Sequence, residues 1–159
     1  MSEKEKIRIE GLKKSFAGKV VLDGVNVSVR EGEILCVIGK SGSGKSVILK
    51  HLIGILRPDE GAIFVDGEDF TAAGEMERFA MQRKYGVLFQ GAALFDSMNI
   101  FDNVAFGMRR KGMPEEEIAK AVPEYLALAG LRGVEERMPS ELSGGMQKRV
   151  GLARSLAVK

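Results

Sequence analysis

Apolar positions follow two rhythms along this chain, strand-like alternation near its start and helical spacing after residue 90. Residues 7–16 and 20–29 are rich in β-branched side chains, and Val25, Val27 and Val29 alternate with polar neighbours. That pattern predicts two antiparallel strands joined by a turn at Ala17-Gly18-Lys19. After a turn at Glu31-Gly32-Glu33, residues 34–38 form an unbroken apolar run, the pattern of a strand buried on both faces of a parallel sheet. Residues 45–56 read as a helix, with Ile48, Leu49, Leu52, Ile53 and Leu56 as its apolar stripe and Pro58-Asp59-Glu60-Gly61 as its stop. A short strand at 62–65 ends at the turn Asp66-Gly67, a helix follows at 75–84, and residues 85–89 read as a strand ending at Gln90.

Beyond Gln90 the period becomes 3.6. Asn99 is placed to cap a helix, with Asp102 three residues on and Ile100, Val104 and Met108 along one face. A second helix starts at Pro114, where a proline forfeits no hydrogen bond, and Glu115, Glu116 and Glu117 favour the positive end of its dipole. Ile118, Val122, Tyr125, Leu126 and Ala129 form its stripe, and Pro123 is expected to kink it. Ser143 caps a last helix through Gln147, Arg149, Leu152 and Leu156.

Composition narrows the classes. With 159 residues and 45% apolar content, the chain can bury an ordinary core. Twenty-four Lys and Arg against 22 Asp and Glu leave a formal net charge of +2, which argues for neither a nucleic-acid partner nor a polyanionic substrate, and no nucleic acid is expected. The single cysteine, Cys36, excludes an internal disulfide and, in its apolar run, is expected to be a small buried hydrophobe. The polar start Met-Ser-Glu-Lys-Glu-Lys lacks the apolar stretch of a signal peptide, and no run is long enough to cross a bilayer. A soluble protein, or one held at a membrane by partners, is expected.

The chemistry sits in two motifs. Gly39-Lys40-Ser41-Gly42-Ser43-Gly44-Lys45-Ser46 fits G-x-x-x-x-G-K-[ST], between an apolar run and a helical pattern. Glycines there let backbone N–H groups approach the β- and γ-phosphates of a nucleotide, Lys45 adds a positive charge, and the Ser46 hydroxyl is a Mg²⁺ ligand. A dinucleotide fingerprint fails, because Val47 stands where a third glycine is required. Downstream, Leu142-Ser143-Gly144-Gly145-Met146-Gln147 is similar to the LSGGQ signature of ATP-binding-cassette (ABC) ATPases. In that order, the two motifs make the chain resemble an ABC cassette from its first strands to its last helix.

The resemblance implies further roles. Phe16 stands where the family places an aromatic that stacks on adenine, although a core or turn phenylalanine fits the residue equally well. Gln90 matches the glutamine that contacts Mg²⁺ and the attacking water. Ser143, Gly144 and Gly145 match the loop that reaches, across a head-to-tail dimer, the γ-phosphate held by a second copy. Met146 departs from the usual glutamine, which puts the side-chain part of that contact in doubt. Phe95, Met98, Phe101, Phe106 and Met108 cluster where the family receives a short helix of an integral membrane permease. Arg109-Arg110-Lys111 reads as a solvated helix end, and His51 as a partly packed side chain.

The expected fold class is therefore α/β: a P-loop core with an antiparallel β arm over residues 1–90, a helical subdomain over 91–141, and the signature with its helix over 142–159. The acidic strand end, D-loop and switch histidine of the family find no match before Lys159, so the chain resembles a C-terminally truncated cassette that hydrolyses little ATP itself. The stretch 88–106 and Met146 resemble the bacterial lipid-transport branch, which works with MCE-type lipid-binding proteins. By resemblance the parent is cytoplasmic, peripheral on the inner face of the cell membrane through its permease, with ATP and Mg²⁺ as cofactors. Alternatives are an ABC ATPase of DNA maintenance or translation, or a fragment that only binds.

Overall fold

Antiparallel hairpins dominate the first part of the chain and helices the rest. The computed structural model describes residues 4–158. Met1, Ser2 and Glu3 of the polar start, and Lys159, lie outside the described residues. Two compact units divide the chain, Met1–Gln82 and Arg83–Lys159.

In the first unit, β1 (Glu5–Phe16) pairs antiparallel with β2 (Lys19–Arg30), with Ile7 opposite Val29 and Ile9 opposite Val27. Ala17 and Gly18, both at positive φ, make the two-residue turn, and Phe16 already faces Lys19. On the other side of β1 lies β3 (Glu60–Val65), which turns through Asp66-Gly67 into the short β4 (Glu68–Asp69), giving the order β2-β1-β3-β4. Ile9, Leu12, Leu22, Ile63, Val65, Phe70 and Met81 are buried in this unit. α1 (Lys45–Leu52) and α2 (Glu75–Gln82) complete it.

Five expectations fail. Residues 34–38 and 85–89 form no strand among the described residues, and Ile34 and Ile38 are 88% and 92% exposed. Cys36 is consequently exposed rather than buried. A parallel ladder needs a neighbouring strand to accept its slanted hydrogen bonds, and neither unit offers one to these runs. α1 ends at Leu52, four residues early, because Gly54 adopts φ +76 and closes it: Gly54 N–H donates to His51 O (3.0 Å) and Ile55 N–H to Lys50 O (2.8 Å). His51 is fully buried, not partly packed, and its Nδ1 lies 2.7 Å from Val47 O, so Nδ1 donates to that carbonyl.

The second unit is a helical cluster: α3 (Ile100–Arg110), α4 (Glu115–Leu128), a single 3₁₀ turn (Pro139–Glu141) and α5 (Gly144–Leu156). Asn99 caps α3 as expected, its Oδ1 accepting from Asp102 N–H at 2.8 Å. Ile100, Val104, Met108, Ile118, Val122, Leu126, Val150 and Ala153 are fully buried together. Pro114 caps α4 one residue before its first turn, and α4 continues unbroken through Pro123.

Candidate functional site

The glycine loop and α1 form a cradle built from backbone. Gly44 caps α1 at φ 91, a conformation a side chain would strain. A Cβ there would lie 2.9 Å from Leu22 Cδ2 and 3.1 Å from Val21 O, and one at Gly39 would lie 2.6 Å from Ser43 Oγ. Only glycine lets the loop close so tightly. The first turn of α1 carries no acidic residue and its cap is no side chain, so the N–H groups of Lys45 and Ser46, ahead of the Val47 N–H that donates to Gly44 O (2.9 Å), can meet an anion. Lys45 Nζ folds back onto the loop, donating to Gly39 O (2.8 Å) and Lys40 O (2.7 Å). The ammonium therefore sits over the loop, held by neutral carbonyls and not by a carboxylate. Ser41, Gly42, Ser43 and Ser46 are exposed on the same segment. Among the described residues no group of three His, Cys, Asp or Glu could hold a metal. A cation here would rely on the Ser46 hydroxyl and the phosphates of its nucleotide. The cradle, the ammonium and the hydroxyl fit a Mg²⁺-nucleotide.

Phe16 ends β1 beside the Ala17-Gly18 turn with 43% of its surface exposed, so it is not a core side chain. Its base is fixed by Asp59, which accepts from Ser15 N–H (2.7 Å) and from Lys14 Nζ (2.5 Å). Those hydrogen bonds, the Lys14 ammonium first, hold the Asp59 carboxyl below its usual pKa. Lys14 Nζ also lies 5.7 Å from the Phe16 ring centroid.

Gln90 belongs to the second unit and is exposed in a turn, closed by Ala92 N–H donating to Phe89 O at 3.0 Å. It does not end a strand, as expected, because residues 85–89 form none. Ala92 and Ala93 follow at φ 62 and 49, two consecutive left-handed alanines, each costing on the order of 1–2 kcal/mol. Arg154 of α5 meets both, its Nη2 donating to Ala92 O (2.6 Å) and its Nη1 to Ala93 O (2.8 Å). Burial draws the Arg154 pKa below its usual value.

At the start of α5, Ser143 Oγ accepts from Met146 N–H at 3.3 Å, and Ser143, Gly144 and Gly145 are exposed. Met146 instead turns partly into the helical core, which accounts for an apolar residue at that position. Gln147 Nε2 donates to Pro139 O (2.8 Å) and holds the preceding 3₁₀ turn. Of the apolar cluster, Met108 is core, while Phe95 and Phe106 meet at 4.8 Å between ring centroids. Met98, Asp102, Phe106, Arg109 and Arg110 line an adjoining open hollow of about 410 Å³. Arg109 is not simply solvated: it pairs with Asp102 and Glu115, both at 2.7 Å.

Sequence reasoning missed Asp59, Asn103, Gln147 as a brace, and Arg154. For Asn103 and Arg154 a signal was present. Each occupies a helical-stripe position otherwise held by apolar residues, 100-103-104-108 and 150-153-154-157, where a polar side chain implies a buried hydrogen-bonding task.

Residues 22–159 match the family model described as ABC transporter. The chain is 46% identical over 153 residues to the probable ribonucleotide transport ATP-binding protein mkl of Mycobacterium tuberculosis, covering 96% of this chain and 43% of that protein. It is 49% identical over 144 residues to the chloroplastic protein TRIGALACTOSYLDIACYLGLYCEROL 3 of Arabidopsis thaliana, covering 90% and 41%. Against the Fe(3+) ions import ATP-binding protein FbpC of Escherichia coli the identity is 38% over 159 residues, covering 100% and 44%. Among solved structures, the dimeric bacterial ABC transporter cassette MJ0796 matches with a TM-score of 0.87 and 32% identity, over 95% of this chain and 69% of that one. The same cassette bound to ADP and Pi gives 0.85 and 30%, again over 95% and 69%. The chain thus spans less than half the length of these curated relatives.

Proposed function

This chain belongs to the ABC transporter family, and on that premise we propose that it is the nucleotide-binding part of a transporter's ATPase subunit. The observation that carries the reading is the cradle: Gly44 held at φ 91 against Leu22, with the Lys45 ammonium resting on loop carbonyls. Those carbonyls are weak partners for a full charge, so Lys45 can exchange them for phosphate oxygens. Residues 39–46 would hold the phosphates, Phe16 the base, and Ser46 with Gln90 the magnesium. Bound Mg²⁺ would neutralise phosphate charge and so ease phosphoryl transfer to water. Gln90 would orient that water, while Ser143, Gly144 and Gly145, exposed residues at a capped helix start, would meet the γ-phosphate held by a second copy.

No helix among the described residues is long and apolar enough to cross a membrane. Cargo passage would therefore fall to an integral permease, docked in the hollow beside Met98 and Phe106, with the chain on the cytoplasmic face. The cargo we propose is phospholipid, delivered with an MCE-type protein. Two features support this: the wording of residues 88–106, and 49% identity to a plant relative named for a galactolipid, above the 38% to an iron-import relative.

The test is isothermal calorimetry with MgATP on the chain and on Lys45→Ala. Loss of the ammonium is expected to weaken binding by about tenfold or more. Equal affinities would remove the cradle assignment.

A further inference from the structure

Three contacts lay the segment around Gln90 onto α5, all within the second unit. At Gly86, an added Cβ would lie 2.3 Å from Ser155 O. At Gly151, it would lie 3.2 Å from Ala92 Cβ and 3.0 Å from Leu88 Cδ1. Between them, the Arg154 guanidinium spans the carbonyls of Ala92 and Ala93 and lies 5.9 Å from the Phe95 ring centroid. Backbone without a Cβ at the first two contacts lets the loop and the helix touch directly, and the third contact is a two-pronged donor.

The geometry of Ala92 and Ala93 shows what those prongs hold. Left-handed alanines are unfavourable unless surrounding groups over-determine them. Ala92 is buried and Ala93 exposed, so packing fixes only the first. The second has Arg154. A planar guanidinium reaches two successive carbonyls with two nitrogens in a fixed fork, whereas an ammonium reaches them from one rotatable nitrogen and fixes their orientation less. Gln90 is exposed inside the turn that Ala92 N–H closes onto Phe89 O, so the placement of Ala92 and Ala93 sets that of Gln90.

We propose that Arg154 is a positioning residue: it locks the Ala92-Ala93 turn to the signature helix and so sets where Gln90 points. α5 begins at the Ser143-Gly144-Gly145 loop, so any shift of that helix is carried to Gln90 through the same guanidinium. The inference rests on the role proposed for Gln90 above.

The experiment compares wild type, Arg154→Gln, Arg154→Lys and Gln90→Ala in the full-length ATPase assembled with its permease. Hydrogen exchange follows the amides of residues 91–95, and ATPase assays give kcat and KM. For Arg154→Gln, exchange at 91–95 is expected to rise about tenfold while the amides of α3 and α4 keep their protection. Its kcat is expected to fall about tenfold with KM for ATP within about twofold, because the phosphates are held by residues 39–46, which the substitution does not touch. Arg154→Lys, which keeps charge and stem, is expected to fold like wild type and recover only part of each effect. Unchanged exchange at 91–95 in both variants overturns the inference whatever Gln90 does. Loosened exchange with unchanged kcat, where Gln90→Ala lowers kcat, also overturns it. If Gln90→Ala itself leaves kcat unchanged, the role proposed for Gln90 fails, and the positioning inference falls with it.

Discussion

Asn103 grips Phe95 from both ends of one residue, its Oδ1 accepting from the Phe95 N–H at 2.8 Å and its Nδ2 donating to the Phe95 carbonyl at 3.1 Å. The same amide nitrogen reaches Met98 O (3.0 Å) and Asn99 O (2.9 Å). A fully buried side chain thus replaces secondary structure for the loop that carries the Phe95–Phe106 pair. Asn103→Leu is expected to strand these groups without partners and destabilise the chain by roughly 2–4 kcal/mol. Denaturant melts would read that loss, and a cost below about 0.5 kcal/mol would mean that water replaces the amide.

The Gly44 cradle makes a sharper case. Gly44→Ala puts a Cβ at φ 91 against Leu22 and Val21. Strain and clash together are expected to cost about 1–3 kcal/mol and to weaken MgATP binding by about tenfold. Gly42→Ala is the control, because its φ is also positive but a Cβ there meets nothing within 4 Å. Equal losses in the two variants would show that backbone strain alone, not the closeness of the cradle, sets affinity.

How much of this was legible in the sequence divides along a physical line. Signals carried by local chemistry were readable: the β1–β2 turn at Ala17-Gly18, the Asn99 cap, the Ser143 cap and the α3 and α4 stripes all stand where periodicity and capping placed them. The residues 34–38 and 85–89 were misread because a continuous apolar run specifies burial only when partner strands are present, and no periodicity encodes a partner. The helix expected over 45–56 ends early: its apolar stripe runs on to Leu56, whereas the positive φ of Gly54 closes the helix after Leu52. For the candidate site, spacing singled out residues 39–46 and 142–147, while the braces behind the candidate residues depend on tertiary contacts between residues up to 62 apart, such as Arg154 and Ala92.

Acid should loosen the hold on Phe16. Asp59 has its pKa lowered in the folded chain, first by its hydrogen bond to Lys14 and next by that to Ser15. The sign follows: this stabilisation is complete above the unfolded carboxylate value near about 4 and is lost as pH falls through the lower folded value. Melting of wild type and Asp59→Asn is expected to differ by a constant amount above about pH 5 and to converge in stronger acid. A difference that stays constant down to about pH 2 would show that Asp59 contributes no charge-dependent stability.

Ile34 and Ile38 leave a large apolar surface in water, with Leu35 and Val37 also exposed between them. An exposed apolar segment with unpaired backbone is a template for another chain. The 159-residue polypeptide is expected to self-associate, and Ile34→Lys with Ile38→Lys to reduce that association. Light scattering against concentration would decide it. A monodisperse monomer in wild type would count against the expectation.

The hollow beside α3 gives the most direct test of partner and cargo. Met98 and Phe106 supply its apolar wall, Arg109 and Arg110 its charged rim, and the Phe95–Phe106 contact fixes the wall to the turn that follows Gln90. A short helix with an apolar side and an acidic end would match that arrangement, Met adapting to its shape and Arg110 to its charge. Met98→Asp sets a charge against the apolar side without touching residues 39–46, so it should release the permease and spare MgATP binding. Copurification of the full-length protein is expected to bring an integral permease and an MCE-type lipid-binding protein. Its ATPase rate is expected to rise with phospholipid vesicles and not with ferric iron or ribonucleotides. Retention of the permease by Met98→Asp would move the docking site elsewhere. Stimulation by ferric iron or a ribonucleotide alone would overturn the lipid cargo and leave the nucleotide cradle untouched.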